Sequence, residues 1–299
     1  YHLAYSTYNK VDDPLGLTVG DICRPREKNN DLYGWGGNSV LATATLARWQ
    51  GVVDESVASF EDLQNKINRN ETADLSDDVM YDRDSYHLQN VEYIYMTKAN
   101  RNQIKQKLMK YGAAECSMYA PETSSDKQMY GNTGKSNFTA YYCDDTSKTT
   151  NHSVLIVGWD DNYSASNFNS KCRPSSDGAW LIRNSWGDCN SMGGYFWISY
   201  EDAMLQAEEN EEAEVAFFDV EKADNYDNNY QYDGGIPFAF SKSFLRGANV
   251  FEAKADEKMQ AVSFYTQEAN VNYEVSIYES PDSDNPMSGK LVSSLSGTI

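Results

Sequence analysis

The sequence predicts an α+β domain followed by an all-β module, and three observations carry that prediction. Residues 151–200 hold three short stretches rich in Val, Ile and aromatic side chains, broken by Gly and polar turns, which reads as paired strands. Residues 39–50 and 100–112 instead repeat their apolar positions at helical spacing between capping residues. After an acidic run at residues 206–214 the pattern shifts to alternating β-forming segments that continue to Ile299.

In chain order, residues 1–31 mix Asp-Pro, Gly, Asn and charges without periodicity, which reads as a looped covering segment. Gly34, Gly36 and Gly37 then form a glycine-rich turn into a helix that Asn38 or Ser39 can cap and Gly51 ends, in which Val40 or Leu41, Ala44, Ala47 and Leu46 or Trp49 repeat at helical spacing. Residues 52–84 are polar and acidic, with a short helix expected at 59–69. The cluster Asp74, Asp77, Asp78, Asp82 and Asp84 lacks the spacing of a calcium loop, so it reads as solvated chain, and no metal site is expected. Residues 86–95 alternate as a strand in which His87 has a structural role. Asn100 caps the next helix, Ile104, Leu108 and Met109 face inward, and Gly112 closes it. Strands are expected at 113–120 and 138–143. Beyond residue 214 they are expected at 215–220, 248–251, 259–265 and 271–278, so the boundary between the two parts falls between 214 and 215.

Charge narrows the partners. With 45 acidic and 25 basic residues the net charge is −20, which opposes nucleic acid and anionic lipid surfaces. No apolar run is long enough to span a bilayer, and residues 1–5 have no signal-peptide pattern. The chain opens on Tyr1, and the expectation is that it begins inside a longer reading frame. The five cysteines (Cys23, Cys116, Cys143, Cys172 and Cys189) form no Cys-x-x-Cys pair, so neither a zinc site nor a dense disulfide framework is expected. A Cys172–Cys189 bridge across the loops that flank residues 180–184 is conceivable.

Chemistry concentrates at two positions. His152 opens one strand and Asn184 ends another. An asparagine carbonyl can accept the Nδ1 proton of an imidazole, fix its tautomer, and leave Nε2 to exchange a proton with a nucleophile. The blocks Asn151-His152-Ser153-Val154, Asn184-Ser185-Trp186-Gly187 and Gly194-Tyr195-Phe196-Trp197 together resemble the histidine and asparagine blocks of the papain-like cysteine peptidases. The resemblance implies the papain-like fold, a helical part plus an antiparallel barrel-like part. It also implies that His152 is the general base and acid, Asn184 its orienter, and Trp186 the indole that shields their hydrogen bond. Gly36 and Gly37 would be the paired glycines against which an extended substrate lies, with Asn151 also in substrate binding. Residues without Cβ let two main chains approach to hydrogen-bonding distance.

In that register the nucleophilic cysteine is expected upstream of Tyr1, so residues 1–299 alone are expected to be inactive. Cys116 and Cys143 lie within strands, whereas the family's nucleophile sits at a helix N-terminus. The chain also departs from the family where a second tryptophan usually follows Trp186-Gly187, because Asp188, Cys189, Asn190 and Ser191 stand there. The β-module resembles the lectin-like domain that follows papain-like domains in bacterial secreted and surface proteins, here as a partial sandwich. Tyr226, Tyr230 and Tyr232 could stack on sugars, and Asp224, Asp227 and Asp233 could bind hydroxyls or calcium.

The function implied is a Cys-His-Asn endopeptidase acting on protein or peptide, extracellular or at the cell surface. It needs no cofactor and has cell-surface carbohydrate as a partner of the module. The other reading is an inactive peptidase scaffold serving binding or adhesion.

Overall fold

The structure is a computed structural model of the 299-residue chain. It describes residues 38–49, 86–121, 129–131, 138–188, 190–206, 213–232, 246–266, 270–282 and 284–299, with isolated residues between 56 and 69. Gly36, Gly37, Cys23, Cys189, Asp233 and the Asp74 to Asp84 cluster lie outside the described residues, and so does most of the helix expected at 59–69. The chain divides into two compact units, residues 88–221 and residues 1–87 with 222–299.

The unit of residues 88–221 is organised by a seven-stranded sheet. Its strands are β1 (Tyr86–Tyr95), β2 (Ala114–Met118), β3 (Ala140–Tyr141), β4 (His152–Asp160), β5 (Ala179–Arg183), β6 (Tyr195–Ser199) and β7 (Glu214–Lys222), in the order β1-β7-β2-β4-β5-β6-β3. The β2–β4, β4–β5 and β5–β6 ladders are antiparallel, whereas β3 joins β6 in parallel.

Register explains which side chains are inside. Ala114, Ile156, Ile182 and Phe196 lie opposite one another across four strands, and none is more than 1% exposed. The next row brings Cys116 opposite Val154, again buried, while the alternate face carries Glu115, Leu155, Arg183 and Tyr195 toward solvent. A bulge between Ile156 and Gly158 inserts one residue into β4. Such a bulge bends its strand locally and increases its twist.

Helix α2 (Arg101–Tyr111) packs Ile104 and Leu108 into this core and ends at Gly112, whose φ of 86° only glycine adopts freely and whose N–H donates to Leu108 O. Two expectations for this helix are corrected. Met109 is 80% exposed, because it follows the buried Leu108 by one residue, about 100° around the helix. Asn100 holds the N-cap position without a side-chain cap, its Nδ2 donating to Tyr95 O instead.

Asp202 closes the far end of the sheet. It is fully buried, accepts from Cys143 N at 2.8 Å and Met204 N at 3.0 Å, and caps the 3-10 turn Ala203–Leu205. Burial pushes its carboxyl up to about 7, against the opposing pull of the two N–H donors.

Strand β7 differs from expectation. Residues 215–220, read from sequence as the first strand of the β-module, pair with β2 and bury Val215, Ala216 and Phe217 in the sheet's core. The acidic run before them looked like a boundary, but a charge run marks solvated chain, which occurs within a domain as well as between domains.

In the other unit, α1 (Ser39–Ala47) buries Ala44 and Leu46 and stops at Trp49, whose φ is 58°, before Gly51 is reached; Val40 is 37% exposed. Asn229 Nδ2 and Gln231 Nε2 donate to Ala47 O at 2.8 and 3.2 Å, which satisfies a carbonyl at the helix end. His87 is buried and stacked on Trp49 at 4.5 Å and on Tyr226 at 5.8 Å, so His87 and Tyr226 are packing residues here. β8 (Asn272–Glu279) and β9 (Lys290–Thr298) form a separate two-stranded antiparallel sheet. Residues 248–251 and 259–265, expected as strands, are not in a ladder. A segment becomes a strand only when another pairs with it, and no described residue does so.

Candidate functional site

His152 is the first residue of β4, opposite Met118, the last residue of β2. Asn184 follows β5, and one further step in the β4–β5 register sets it opposite Val154, two residues from His152 on the same inward face. The two side chains are therefore diagonal neighbours across an antiparallel pair, a separation that long or aromatic side chains bridge. His152 Nε2 meets Asn184 Oδ1 at 2.8 Å. The same oxygen accepts Ser185 N–H at 2.8 Å, which identifies it as the carbonyl and makes Nε2 the protonated nitrogen.

This corrects the expected assignment of the ring nitrogens: it is Nε2, and not Nδ1, that meets Asn184. The reason is reach. Nε2 is the nitrogen farther from Cβ, and the diagonal needs that extra length.

Trp186 stacks on His152 with ring centroids 4.8 Å apart and planes 23° from parallel. It meets Phe138 in an edge-to-face contact with centroids 6.2 Å apart, and Phe138 is itself buried against Phe196 and Tyr130. Asn184 is 5% exposed and Trp186 is 36% exposed, so the indole lies at the solvent side of the pair. Asn151 stands just before β4. Its Oδ1 accepts Ala120 N at 2.6 Å and its Nδ2 donates to Ala120 O at 3.0 Å, so its side chain extends the β2–β4 ladder past His152 as a peptide group would.

The loop of residues 184–194 closes at its neck, where Asn184 N donates to Gly194 O at 3.1 Å. Gly194 has φ of 81°, and a Cβ there would fall 2.3 Å from Gly187 O, so the two sides of the loop meet where only glycine fits. Arg183 donates to Gly193 O and lies over the Tyr195 ring at 4.7 Å.

Cys116, Cys143 and Cys172 are free and buried. Burial raises the Cys116 thiol well above its usual range and pushes Cys143 and Cys172 up to about 12, so none is a thiolate near neutral pH. Cys172 Sγ lies 3.4 Å from Tyr142 O, and Cys189, its conceivable bridge partner, lies outside the described residues. Among the described residues no group of His, Cys, Asp or Glu is arranged to hold a metal ion, and no helix is long and apolar enough to cross a membrane.

The family model for papain family cysteine proteases matches residues 22–215. The chain belongs to this family. A second match, to a lectin-like domain, covers residues 229–299. Among solved structures, a clostridial cysteine protease, Cwp84 after propeptide cleavage, aligns at 31% identity over 63% of this chain and 42% of that chain, with a TM-score of 0.51. The cysteine protease and lectin-like domains of Cwp84, a surface layer associated protein of Clostridium difficile, align at 30% identity over 62% and 37% of the two chains, with a TM-score of 0.50. The chain thus spans about two fifths of the length of these structures. Comparison with curated proteins returns no match.

The papain-like fold and the peptidase and lectin-like parts read from sequence are those of the matched family and structures. Of the sequence-predicted site residues, His152, Asn184 and Trp186 come together, while Asn151 binds the neighbouring strand end. Two further residues at this corner carry weaker sequence signals: Phe138 reads only as a strand residue, and Asn190 only as part of the stretch that replaces a tryptophan, although an Asn before Gly193-Gly194 is a turn-forming pattern.

Proposed function

We propose that the protein is an endopeptidase that cleaves peptide bonds by a Cys-His-Asn mechanism, and the 2.8 Å contact from His152 Nε2 to Asn184 Oδ1 carries that reading. With Nε2–H held by Asn184, Nδ1 accepts the proton of a cysteine thiol. The thiolate attacks the substrate carbonyl carbon, and the tetrahedral intermediate collapses as His152 returns the proton to the leaving amine. Water then gives a proton to Nδ1, attacks the thioester, and frees the carboxylic acid and the thiol. Asn184 keeps the ring in one tautomer and orientation throughout, and Trp186 keeps water from the hydrogen bond.

In this reading the thiol belongs to none of the described cysteines, and the family register assigns it upstream of Tyr1. Substrate lies extended along Gly36 and Gly37. Asn151 contributes through its main chain, since its side chain is engaged by Ala120.

The test compares hydrolysis of an unfolded protein substrate by residues 1–299, by the longer protein, and by its His152→Ala variant. The longer protein should cleave, the variant should lose about 10²–10⁴-fold in kcat, and residues 1–299 alone should be inactive. Cleavage by residues 1–299 that a thiol reagent blocks would mean the nucleophile has been misplaced. A longer protein without cleavage would mark a binding or adhesion scaffold.

We also propose that residues 229–299 direct the enzyme to carbohydrate at a cell surface. Tyr232 is 63% exposed and stacks on Phe251 at 4.7 Å, and the nearby Glu257 accepts from Asn228 at 2.6 Å and Tyr230 at 2.7 Å. An exposed ring beside fixed polar groups suits the apolar face and the hydroxyls of a sugar. Retention on an immobilised cell-wall polysaccharide should fall at least about tenfold on Tyr232→Ala, a ring's share of such a contact; unchanged retention would remove the ring from the binding surface.

A further inference from the structure

One side chain outside the catalytic pair holds the corner together. Asn190 makes four hydrogen bonds, the full complement of a primary amide. Its Oδ1 accepts Met192 N at 2.9 Å and Gly194 N at 3.0 Å, which shapes its own loop. Its Nδ2 donates at 2.8 Å to Tyr195 O, at the start of β6, and at 2.8 Å to Phe138 O, 52 residues away in sequence. The loop that carries Trp186 is thereby tied to the main chain of the residue whose ring packs edge-to-face with that indole.

We propose that Asn190 is a positioning residue for the His152–Asn184 pair, acting through Phe138 and Trp186. Residues 185–188 are solvent-exposed, so the loop itself gives the indole little burial, whereas Phe138 is 1% exposed and fixed. The hydrogen bond that Asn190 Nδ2 donates to Phe138 O sets the distance between that fixed ring and the loop. The indole, caught between Phe138 and His152, then covers the Nε2–H of the imidazole. Asn190 thus stands where the family usually has a second tryptophan and orders the first one by hydrogen bonds. The functional meaning of this role rests on the peptidase reading, but its geometry can be measured without turnover.

The experiment follows solvent exchange of the His152 Nε2–H by NMR in the 299-residue chain labelled with ¹⁵N-histidine. Only three histidines are present, and His152→Ala assigns the signal. Asn190→Asp keeps acceptors for Met192 and Gly194 but replaces both donors by an oxygen that faces the Phe138 and Tyr195 carbonyls. Exchange should quicken about tenfold in this variant, as expected for a locally opened loop. Trp186→Ala should quicken it comparably, and adding Asn190→Asp to Trp186→Ala should bring little further change.

Exchange within twofold of wild type in a folded Asn190→Asp variant, even with a lower Tm, would reduce Asn190 to a structural role and overturn the proposal. Full additivity with Trp186→Ala would overturn the route through the indole. If Asn190→Asp folds poorly, Asn190→Ser, whose hydroxyl is too short to reach Phe138 O and carries no charge, takes the same measurement with the same two outcomes. In the longer protein the same variant should lower kcat about tenfold with KM nearly unchanged. An inactive longer protein would count against the peptidase reading and leave the exchange result standing.

Discussion

The β4–β5–β6 corner and the β8–β9 hairpin are built from similar alternating sequence and have opposite physical status. In the corner, Ile156, Ile182 and Phe196 are fully buried, because strands lie on both sides and α2 packs Ile104 and Leu108 into the same core. In the hairpin, Leu291, Val292 and Leu295 are each about half exposed or more, although the β8–β9 register is regular apart from one bulge. Alternation specifies a strand, while burial comes from what pairs with it and packs over it. The His152–Asn184 contact needs the second condition, since its 2.8 Å separation is kept only if the strands beneath it do not shift.

The sharpest way to break this comparison is a core truncation. Ile156→Ala should lower the unfolding free energy of the sheet by about 3–4 kcal/mol, from lost transfer energy plus a cavity in a close-packed row. Urea unfolding followed by tryptophan fluorescence reads this, because Trp159, Trp180 and Trp197 are all in the sheet. A loss below 1 kcal/mol would mean that this row is not the structural support of the site.

The same contrast decides what could be read from sequence. His152 and Asn184 were legible because two motifs, separated by 32 residues, each end at a strand boundary. The choice between Nδ1 and Nε2 was not, since it depends on the diagonal offset between strands and so on register. β1 and α2 were legible because the alternation of one, and in the other the spacing of Ile104 and Leu108 with the closing Gly112, are local signals. β7 was misassigned because its partner, β2, lies about a hundred residues earlier, and the acidic run between Leu205 and Val215 is a stronger local signal than the pairing. Asn190 escaped for a similar reason: one of its four partners is 52 residues away.

Buried polar groups sharpen the comparison at intermediate size. Burial holds the Asp202 carboxyl at about 7, above its ordinary value of 3.8. A carboxyl with a raised folded-state pKa contributes stability that is full below the unfolded pKa and is lost as pH rises through the folded one. The wild-type sheet should therefore lose about 2–4 kcal/mol from this group between pH 4 and pH 8. Asp161 and Glu201, held below their usual range by Lys105 and by Ser175 and Ser176 despite partial burial, move the other way. The informative quantity is thus the difference between wild type and Asp202→Asn. The variant gives up a backbone acceptor at every pH, yet its stability relative to wild type should rise steadily from pH 5 to pH 8. A pH-independent difference would mean that Asp202 ionises normally in the fold.

The smallest effect tests the other side of the comparison. Leu295 is a strand residue of the same hydrophobic class as Ile156, paired with Val275 across the β8–β9 ladder, but it is 63% exposed. Truncating it removes little buried area and leaves no enclosed cavity, so only the cross-strand contact and the intrinsic strand preference are lost. Leu295→Ala should therefore cost no more than about 0.5 kcal/mol in residues 1–299. Hydrogen exchange of the β8 and β9 amides reads this locally, where a global unfolding curve would report mainly the large sheet. If Leu295→Ala instead opened the hairpin by 2 kcal/mol or more, a scale set by burial of a full side chain, this face would be covered in solution. The contrast between the two sheets would then lie in what covers them and not in how they are paired.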